Sequence, residues 1–367
     1  MTHPPLKVLV VDDSAVVRKL LGDALSREPD IQVVGGAADP YVARELIFQH
    51  RPDVLTLDIE MPRMDGLSFL VKLMAHQPMP VIVVSSITQS GSAASVEALR
   101  LGAIDVIAKP GGPSSVGEVT TQLVRRLRAL REGPTIRWGA HRQEGASTTA
   151  CSATVPAPLP RSGAAALSGL IVIGASTGGT QAIETVLTRL PATVPPVLIV
   201  QHMPAGFTRA FAARLDATCP MRVCEATAGE ALRAGTAYIA PGDRHMVVER
   251  VGVRLRVDLR DGPPVHYQRP AVDVLFHSAA RLQGVPIVGI VLTGMGADGA
   301  EGLLALRNAG AETFAQDERS CVVFGMPREA IANGGAAHVV TLLQMPHAIM
   351  DRVGRARSSA TVATDLR

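Results

Sequence analysis

Three apolar segments in the second half of the chain each lead into a residue of reactive type. Segment 170–175 precedes Ser176, segment 197–201 precedes His202, and segment 287–294 leads to Asp298. Such runs, separated by stretches with helical spacing, are typical of strands in a parallel sheet covered on both faces. Ligands of these sheets bind outside the carboxyl ends of the strands, so we expect the three residues to meet at one edge. They form the set used in nucleophilic acyl chemistry.

Length and composition favour a folded protein with two domains. The chain has 367 residues, of which 47% are hydrophobic and 19% charged, and this is long enough for two domains that each bury a core. Only 3% are aromatic, so the predicted cores are aliphatic and stacking platforms for nucleic-acid bases are not expected. The formal net charge of +3 is too small to indicate a polyanionic partner. We predict an α/β fold with two doubly wound parallel sheets.

The apolar pattern divides the chain into domains and a linker. Five short strands alternate with helical stretches up to residue 128, which predicts a flavodoxin-like domain over residues 1–128. Residues 129–168 are rich in Gly, Pro, Ala, Ser and Thr and include Trp138, so they are predicted to form a flexible linker. Residues 169–355 repeat the alternation and add a hairpin at 246–257, which predicts a second, Rossmann-like domain. Residues 356–367 are predicted to be a frayed tail.

Cysteine usage and hydropathy favour a cytoplasmic location. The four cysteines lack metal-binding or redox spacing, so reduced thiols are expected. No signal-peptide core and no apolar run of about 18–20 residues is present, so we expect no membrane insertion. The basic cluster Arg125-Arg-Leu-Arg128 is predicted to be a solvated helix end rather than a nucleic-acid patch. A monomer is the expected state. The cysteines are Cys151, Cys219, Cys224 and Cys321.

A further set of polar residues follows the predicted strands of the first domain. Asp12 and Asp13 follow the first strand, Asp58 follows the third, Ser85 ends the fourth, and Lys109 follows the fifth. Carboxylates crowded at one sheet edge repel one another and favour a hard cation such as Mg²⁺. Asp58 could then attack phosphorus, with Lys109 and Ser85 contacting the phosphoryl group. A solvated turn would explain a single acidic pair, but not five positions that agree.

Residues 6–128 resemble a response-regulator receiver domain. The resemblance implies phosphorylation of Asp58 by a histidine kinase with Mg²⁺ bound. It further implies that Asp13, Asp58 and the main-chain carbonyl of Glu60 ligate the metal, while Asp12 acts largely through water. The segments that carry the resemblance are Val10-Val-Asp-Asp-Ser14, Leu57-Asp-Ile-Glu-Met-Pro-Arg-Met-Asp-Gly66, Val84-Ser-Ser86 and Ala108-Lys-Pro110.

The second domain contains the pattern G-x-S-x-G between a predicted strand and helix. This context places Ser176 on a tight turn, and the helix N-terminus would direct N–H groups toward an oxyanion. His202 could accept the serine proton, and Asp298 could orient the imidazole. A phosphate-binding turn, a structural histidine and a helix N-cap aspartate are the alternatives. The order Ser, His, Asp differs from that of α/β-hydrolases, which predicts a different fold with the same chemistry.

Five segments of the second domain together resemble the catalytic domain of the CheB family, the chemotaxis protein-glutamate methylesterases. The resemblance implies a triad of Ser176, His202 and Asp298, with Thr177 and Met295 near the oxyanion, and no cofactor for the esterase. The implied substrates are glutamate γ-methyl esters on the cytoplasmic domains of chemoreceptors, and many members also deamidate receptor glutamines. The segments are Gly174-Ala-Ser-Thr-Gly-Gly179, Gln201-His-Met-Pro204, Ala240-Pro-Gly-Asp-Arg-His245, Arg269-Pro-Ala-Val-Asp-Val-Leu-Phe276 and Leu292-Thr-Gly-Met-Gly-Ala-Asp-Gly299.

Two other classes of second domain are weaker alternatives. A DNA-binding domain would need a helix-turn-helix or a basic recognition helix, and neither pattern occurs in residues 169–355. A nucleotide-binding domain would need the lysine of a P-loop or a complete G-x-G-x-x-G, which the glycine-rich segment 174–179 lacks. The family resemblance also suggests that the receiver packs against the mouth of the catalytic site until Asp58 is phosphorylated.

Overall fold

The computed structural model describes residues 4–86, 88–109, 116–132 and 169–364. In the first domain, strands and helices alternate as predicted, because short β-branched runs are separated by amphipathic stretches. Its elements are β1 (Leu6–Val11), α1 (Ala15–Leu25), β2 (Ile31–Ala37), α2 (Pro40–His50), β3 (Val54–Leu57), α3 (Gly66–His76), β4 (Val81–Ser85), α4 (Gln89–Leu101), β5 (Asp105–Ala108) and α5 (Val116–Glu132).

Short polar side chains fix where the first three helices begin. The Ser14 hydroxyl accepts a hydrogen bond from the N–H of residue 17 at the start of α1. Asp39 caps α2 directly ahead of Pro40, and Asp65 caps α3. These are the residue types whose oxygens satisfy the free N–H groups of a first helical turn, and proline is favoured at the first helical position.

The first sheet has the strand order β2-β1-β3-β4-β5, with every pairing parallel. This is the flavodoxin-like order that was predicted, and its crevice lies at the carboxyl ends of β1 and β3. The central strands β3 and β4 are buried along their whole length. Asp12, Asp58 and Lys109 therefore all follow strands at the same edge.

The second domain is built in the same way around a larger sheet. A two-stranded antiparallel hairpin, formed by β10 and β11, interrupts the alternation. Its elements are β6 (Leu170–Ala175), α6 (Gly179–Leu187), β7 (Val197–Gln201), α7 (Phe207–Thr218), β8 (Arg222–Glu225), β9 (Thr236–Ile239), β10 (His245–Val251), β11 (Arg254–Arg260), α8 (Val272–Ala280), β12 (Ile287–Val291), α9 (Ala300–Asn308), β13 (Glu312–Gln316), α10 (Met326–Ala332), β14 (His338–Val340) and α11 (Met345–Thr364).

The seven strands of the second sheet are parallel, in the order β14-β13-β12-β6-β7-β9-β8. The chain leaves the central strand β6 toward β7 and later returns to its other side with β12. The crevice where the strand order reverses therefore lies beyond β6, β7 and β12. The strands that lead to Ser176, His202 and Asp298 are these three neighbours, which confirms the predicted doubly wound architecture.

Several predicted features differ from the structure or lie outside the residues that it describes. Helix α5 runs to Glu132, past the predicted domain end at 128, because its apolar face continues to pack on α1. The remaining linker, with Trp138 and Cys151, falls outside the described residues. The tail predicted to fray is helical to Thr364.

The cysteines Cys219, Cys224 and Cys321 are free, as predicted. Within the described residues, no helix combines the length and hydrophobicity needed to span a bilayer.

The prediction that 125–128 is a solvated helix end is wrong. Arg126 is buried, and its guanidinium donates to the Asp105 carboxylate at 2.8 Å. Arg128 forms ion pairs with Glu28 and Asp30, at 2.6 and 2.7 Å. A run of basic residues on a helix resembles a solvated face in the sequence, because the carboxylates that pair with it lie 21 to 100 positions away.

Candidate active site

The first site lies at the carboxyl edge of the receiver sheet. Lys109 Nζ lies 2.7 Å from Asp58 Oδ2 and 3.1 Å from Asp12 Oδ2. Burial raises the pKa of Asp58 to about 6, although the hydrogen bond and charge of Lys109 oppose this shift. Ser85 is buried at the end of β4, and the main-chain N–H of Glu60 donates to Asp58 Oδ1 at 3.2 Å. Asp12, Asp58 and Lys109 are therefore in direct contact, and Ser85 ends the strand between those that lead to Asp58 and Lys109.

The chemistry of these donors fits a hard divalent cation. Carboxylate oxygens of Asp12, Asp13 and Asp58 lie within 4.8 Å of one another, the first and last buried and Asp13 exposed. Apart from the ion pairs with Lys109, Oδ2 of Asp12 and Oδ2 of Asp58 are buried without a hydrogen-bond partner. Three acidic groups around one lysine leave an excess of negative charge, which Mg²⁺ with its carboxylate and water ligands would neutralise.

Ser176 lies on the tight turn between β6 and α6. Its N–H donates to the carbonyl of Thr293 at 3.0 Å, and its own carbonyl accepts from Gly179 N–H at 2.7 Å and from the Gln201 side-chain amide at 2.8 Å. Gly178 adopts φ 76°, a conformation that favours glycine. Because the N–H groups of Ser176 and Gly179 are already bonded within the domain, this turn is not arranged to bind a phosphate.

Asp298 does not cap the helix that follows it, as the simpler interpretation would require. Gly299 occupies the N-cap of α9. The Asp298 carboxylate instead accepts from the N–H of Val272 at 2.7 Å and of Asp273 at 2.9 Å, at the N-terminus of α8. The helix dipole there favours a negative charge. Burial opposes ionisation of Asp298, but its hydrogen bond with His202 keeps its pKa below the usual value.

The His202 side chain contacts this carboxylate, and its main-chain N–H donates to the carbonyl of Ala175, next to Ser176, at 3.0 Å. Its Nε2 lies 2.7 Å from Asp298 Oδ2, and both side chains are buried. An ionised carboxylate accepts hydrogen bonds, so Nε2 carries the proton in this pair. The other ring nitrogen, Nδ1, is buried without a hydrogen-bond partner. The imidazole is thus oriented by one nitrogen and has a free basic lone pair on the other.

Ser176 and His202 open into a cleft of about 740 Å³ between the two domains. The cleft is lined by Thr177 and Met295, which were predicted to lie near the oxyanion, and by Arg269. The first domain contributes one wall of the cleft, from residues of α5: Gly117, Thr121, Gln122, Arg125 and Arg126.

Main-chain and side-chain groups of the first domain contact the turn at Ser176 directly. The Thr177 hydroxyl donates to Asp105 Oδ2 at 2.7 Å, and the Gly178 N–H donates to the carbonyl of Ile104 at 3.0 Å. Nearby, the Arg125 guanidinium carbon lies 3.7 Å from the centroid of the Tyr267 ring. Receiver groups thus occupy the N-terminus of α6, where an oxyanion would be stabilised.

Comparison with known proteins agrees with this geometry. The family model for CheB methylesterase matches residues 171–349, and that for the response regulator receiver domain matches residues 8–120. A protein-glutamate methylesterase/protein-glutamine glutaminase 2 of Syntrophus aciditrophicus is 51% identical over 92% of this chain and 96% of its own length. The chain belongs to the CheB methylesterase family.

A second relative covers nearly the whole chain, and a solved structure covers half of it. A protein-glutamate methylesterase/protein-glutamine glutaminase of Chromohalobacter salexigens is 51% identical over 97% of this chain and 99% of its own length. The crystal structure of the Thermotoga maritima CheB methylesterase catalytic domain is 37% identical, covers 50% of this chain and 97% of that chain, and superposes with a TM-score of 0.49.

Several residues of this CheB-family site were not predicted from the sequence. Gln201 was part of a family segment, but its role as a donor to Ser176 was not anticipated. Asp273 lies in another such segment, and its N–H holds Asp298. His266 was not among the predicted site residues, yet it contacts Asp273 at 3.0 Å. Asp105 gave no signal, since a strand aspartate that contacts another domain has no local signature.

Proposed function

We propose that this protein hydrolyses glutamate γ-methyl esters on chemoreceptors, releases methanol, and deamidates receptor glutamines. The observation that carries the proposal is the orientation of His202: Asp298 lies on Nε2, Nδ1 has no hydrogen-bond partner, and His202 lines the same cleft as Ser176. The two activities named for the relatives support the two reactions, since both give a glutamate side chain. The substrate side chains would belong to the cytoplasmic domains of chemoreceptors, which is consistent with the predicted cytoplasmic location.

In the proposed reaction, Ser176 Oγ attacks the ester carbonyl and its proton passes to His202 Nδ1. N–H groups near Thr177 and Met295 stabilise the oxyanion, each worth roughly 3–4 kcal/mol. The C–O bond to methanol then breaks, and the leaving oxygen takes the proton from Nδ1. Water attacks the acyl-enzyme, gives its proton to Nδ1, and the free carboxylate and Ser176 hydroxyl are regenerated. General-base action of His202 adds about 10²–10⁴-fold.

The receiver site supports phosphorylation of Asp58 by a chemotaxis histidine kinase. Asp13, Asp58 and the Glu60 carbonyl would hold Mg²⁺, with Asp12 acting through water. Bound Mg²⁺ supplies charge neutralisation for the transferred phosphoryl group. Asp58 is the nucleophile in this proposal, Lys109 pairs with a phosphoryl oxygen after releasing Asp58, and Ser85 hydrogen-bonds another.

Regulation follows from where the receiver is packed. In the arrangement described here, receiver residues wall the cleft and occupy groups of the nucleophile turn. A chemoreceptor helix is about 10 Å across, so it cannot reach Ser176 while α5 lies over the cleft. Phosphorylation at Asp58 would favour a state in which these contacts are released, to an extent set by the difference in free energy between the two states.

The test is methanol release from methylated receptor membranes by wild type and Ser176→Ala, each with and without a small-molecule phosphodonor. We expect release by wild type that rises with phosphodonor, and no release by Ser176→Ala. Release that persists in Ser176→Ala would remove this serine from the mechanism. A failure of both proteins to release methanol would contradict the proposed activity.

A further inference from the structure

A second histidine–carboxylate pair lies beside the proposed triad. His266 Nε2 is 3.0 Å from Asp273 Oδ2, and the main-chain N–H of Asp273 donates to Asp298 Oδ1 at 2.9 Å. The Asp273 side chain is 5% exposed, while that of His266 is 37% exposed. A continuous series of contacts therefore runs from His266 at the surface, through Asp273 and Asp298, to His202.

Asp273 places a second carboxyl group against the triad acid. Burial and the nearby charge of Asp298 both raise the pKa of Asp273, whereas the N–H of Gly302 and His266 counteract this shift. The Gly302 N–H donates to Asp273 Oδ1 at 2.6 Å. Two adjacent buried carboxyl groups destabilise one another unless positive or N–H groups face both. His266 is the side chain that faces the Asp273 carboxyl group in this way.

The side chains of His266, Asp273 and Asp298 do not form a cation site. Their potential ligand atoms lie within 4.8 Å of one another. However, Asp298 already accepts from His202 and from two N–H groups of α8, and Asp273 accepts from Gly302 and His266. A cation would have to displace these donors, so the arrangement is that of a hydrogen-bonded network.

His266 belongs to a strained turn that faces the cleft. Val265 and Gln268 form two main-chain hydrogen bonds, at 3.0 and 2.8 Å, and close a turn that we call the 265–268 turn. Between them, His266 and Tyr267 have φ of 49° and 62°. Non-glycine residues adopt this region at a cost of about 1 kcal/mol or more, so surrounding contacts must hold it. Tyr267 and Gln268 line the cleft.

We propose that His266 and Asp273 act as a positioning pair that holds the 265–268 turn and the triad acid in one arrangement. The inference rests on the proposed esterase function, since it concerns the same cleft. The His266 side chain anchors the turn to the N-terminus of α8, and that N-terminus holds Asp298. Loss of the pair loosens the cleft wall and shifts Asp298, so substrate binding and proton transfer weaken together.

The test is a double-mutant cycle with His266→Ala and Asp273→Asn in the full chain, activated by phosphodonor. Because displacement of positioned groups by about 1 Å can lower rates up to about 10²-fold, we expect each single variant to lose about tenfold in kcat/KM for methanol release, with KM raised as well as kcat lowered. The double variant should lose no more than the worse single variant, since the two residues act as a unit. His266→Gln, which keeps a side-chain N–H donor, should recover most of KM.

His347→Ala is the matched control, because His347 is exposed on α11 and is not among the residues that line the cleft. The rate at which a fluorophosphonate labels Ser176 provides a readout independent of the natural substrate, and melting temperatures show whether each variant is folded. If the reductions in kcat/KM of the two single variants multiply in the folded double variant, the two residues act independently and the proposal is wrong. Wild-type kinetics in His266→Ala would also contradict it. If wild type labels but releases no methanol, the proposed substrate fails, and the labelling rates still decide the inference. If wild type does neither, both proposals fall.

Discussion

The carboxylate of Asp105 in the receiver lies 2.7 Å from the hydroxyl of Thr177, the residue after the proposed nucleophile. The same Asp105 oxygen accepts from Arg126 at 2.8 Å, so the receiver's own ion pair fixes its position. One residue earlier, the carbonyl of Ile104 accepts from Gly178 N–H. In the proposed regulation, inhibition by the receiver would therefore involve occupied hydrogen-bonding groups on the turn at Ser176 as well as a covered cleft.

Asp105→Asn is expected to raise the activity measured without phosphodonor by about three- to tenfold. Loss of the charge weakens the hydrogen bond to Thr177, since bonds to ionised acceptors are roughly twice as strong as neutral ones, and this favours the released state. Methanol release with and without phosphodonor measures the effect. Asp53→Asn, an exposed receiver aspartate that contacts Lys7, is the control. An unchanged basal rate in folded Asp105→Asn would contradict this account.

Asp58→Asn is expected to abolish stimulation by phosphodonor while basal methanol release is retained. The amide cannot form an acyl phosphate, but it preserves the size of the side chain next to Lys109. Incorporation of labelled phosphate should fall to background in parallel. Equal stimulation of wild type and Asp58→Asn would show that another residue carries the signal.

Gly66→Ala is expected to disrupt the phosphorylation site. A Cβ at this position would lie 2.3 Å from the main-chain carbonyl oxygen of Asp58, so the backbone must move. We expect a lower melting temperature of the receiver and slower phosphorylation. Gly22→Ala in α1 is the matched control, because nothing lies within 4 Å of its Cβ, and it should stabilise the helix by about 0.5–1 kcal/mol. Equal behaviour of the two variants would refute the steric argument.

Gln201→Met is expected to lower kcat for methanol release by about tenfold. The Gln201 amide donates to the carbonyl of Ser176 at 2.8 Å and to that of His202 at 3.3 Å, so it holds the nucleophile turn beside the base. Methionine has a similar volume but leaves a buried carbonyl without this donor, which costs about 1–3 kcal/mol of stability. Steady-state kinetics measure the change in kcat, and thermal unfolding measures the change in stability. Gln283→Met is the control, because Gln283 is exposed. A normal kcat would remove Gln201 from the positioning of Ser176.

The sequence predicted features that depend on short-range patterns. The three buried strands before Ser176, His202 and Asp298 could be recognised because apolar runs of strand length recur with helices between them. Adjacency of these strands was also predictable, since parallel sheets bring their carboxyl ends to one edge. The roles of Asp298 at the N-terminus of α8 and of His266 beside Asp273 could not be predicted. Both depend on how a helix 25 residues upstream of Asp298 approaches the sheet.

The sequence by itself determined the two α/β domains, the residues at their crevices and the family to which the chain belongs. These follow from the local order of apolar and polar residues, which is fixed along the chain. Only the tertiary structure decided that Asp105, paired with Arg126, meets Thr177, that His202 contacts Asp298 through Nε2, and that the Gln201 amide donates to the carbonyl of Ser176. The physical reason is that hydrogen bonds and ion pairs form between groups brought together by packing, and the distance along the chain, 72 residues for Asp105 and Thr177, carries no information about them.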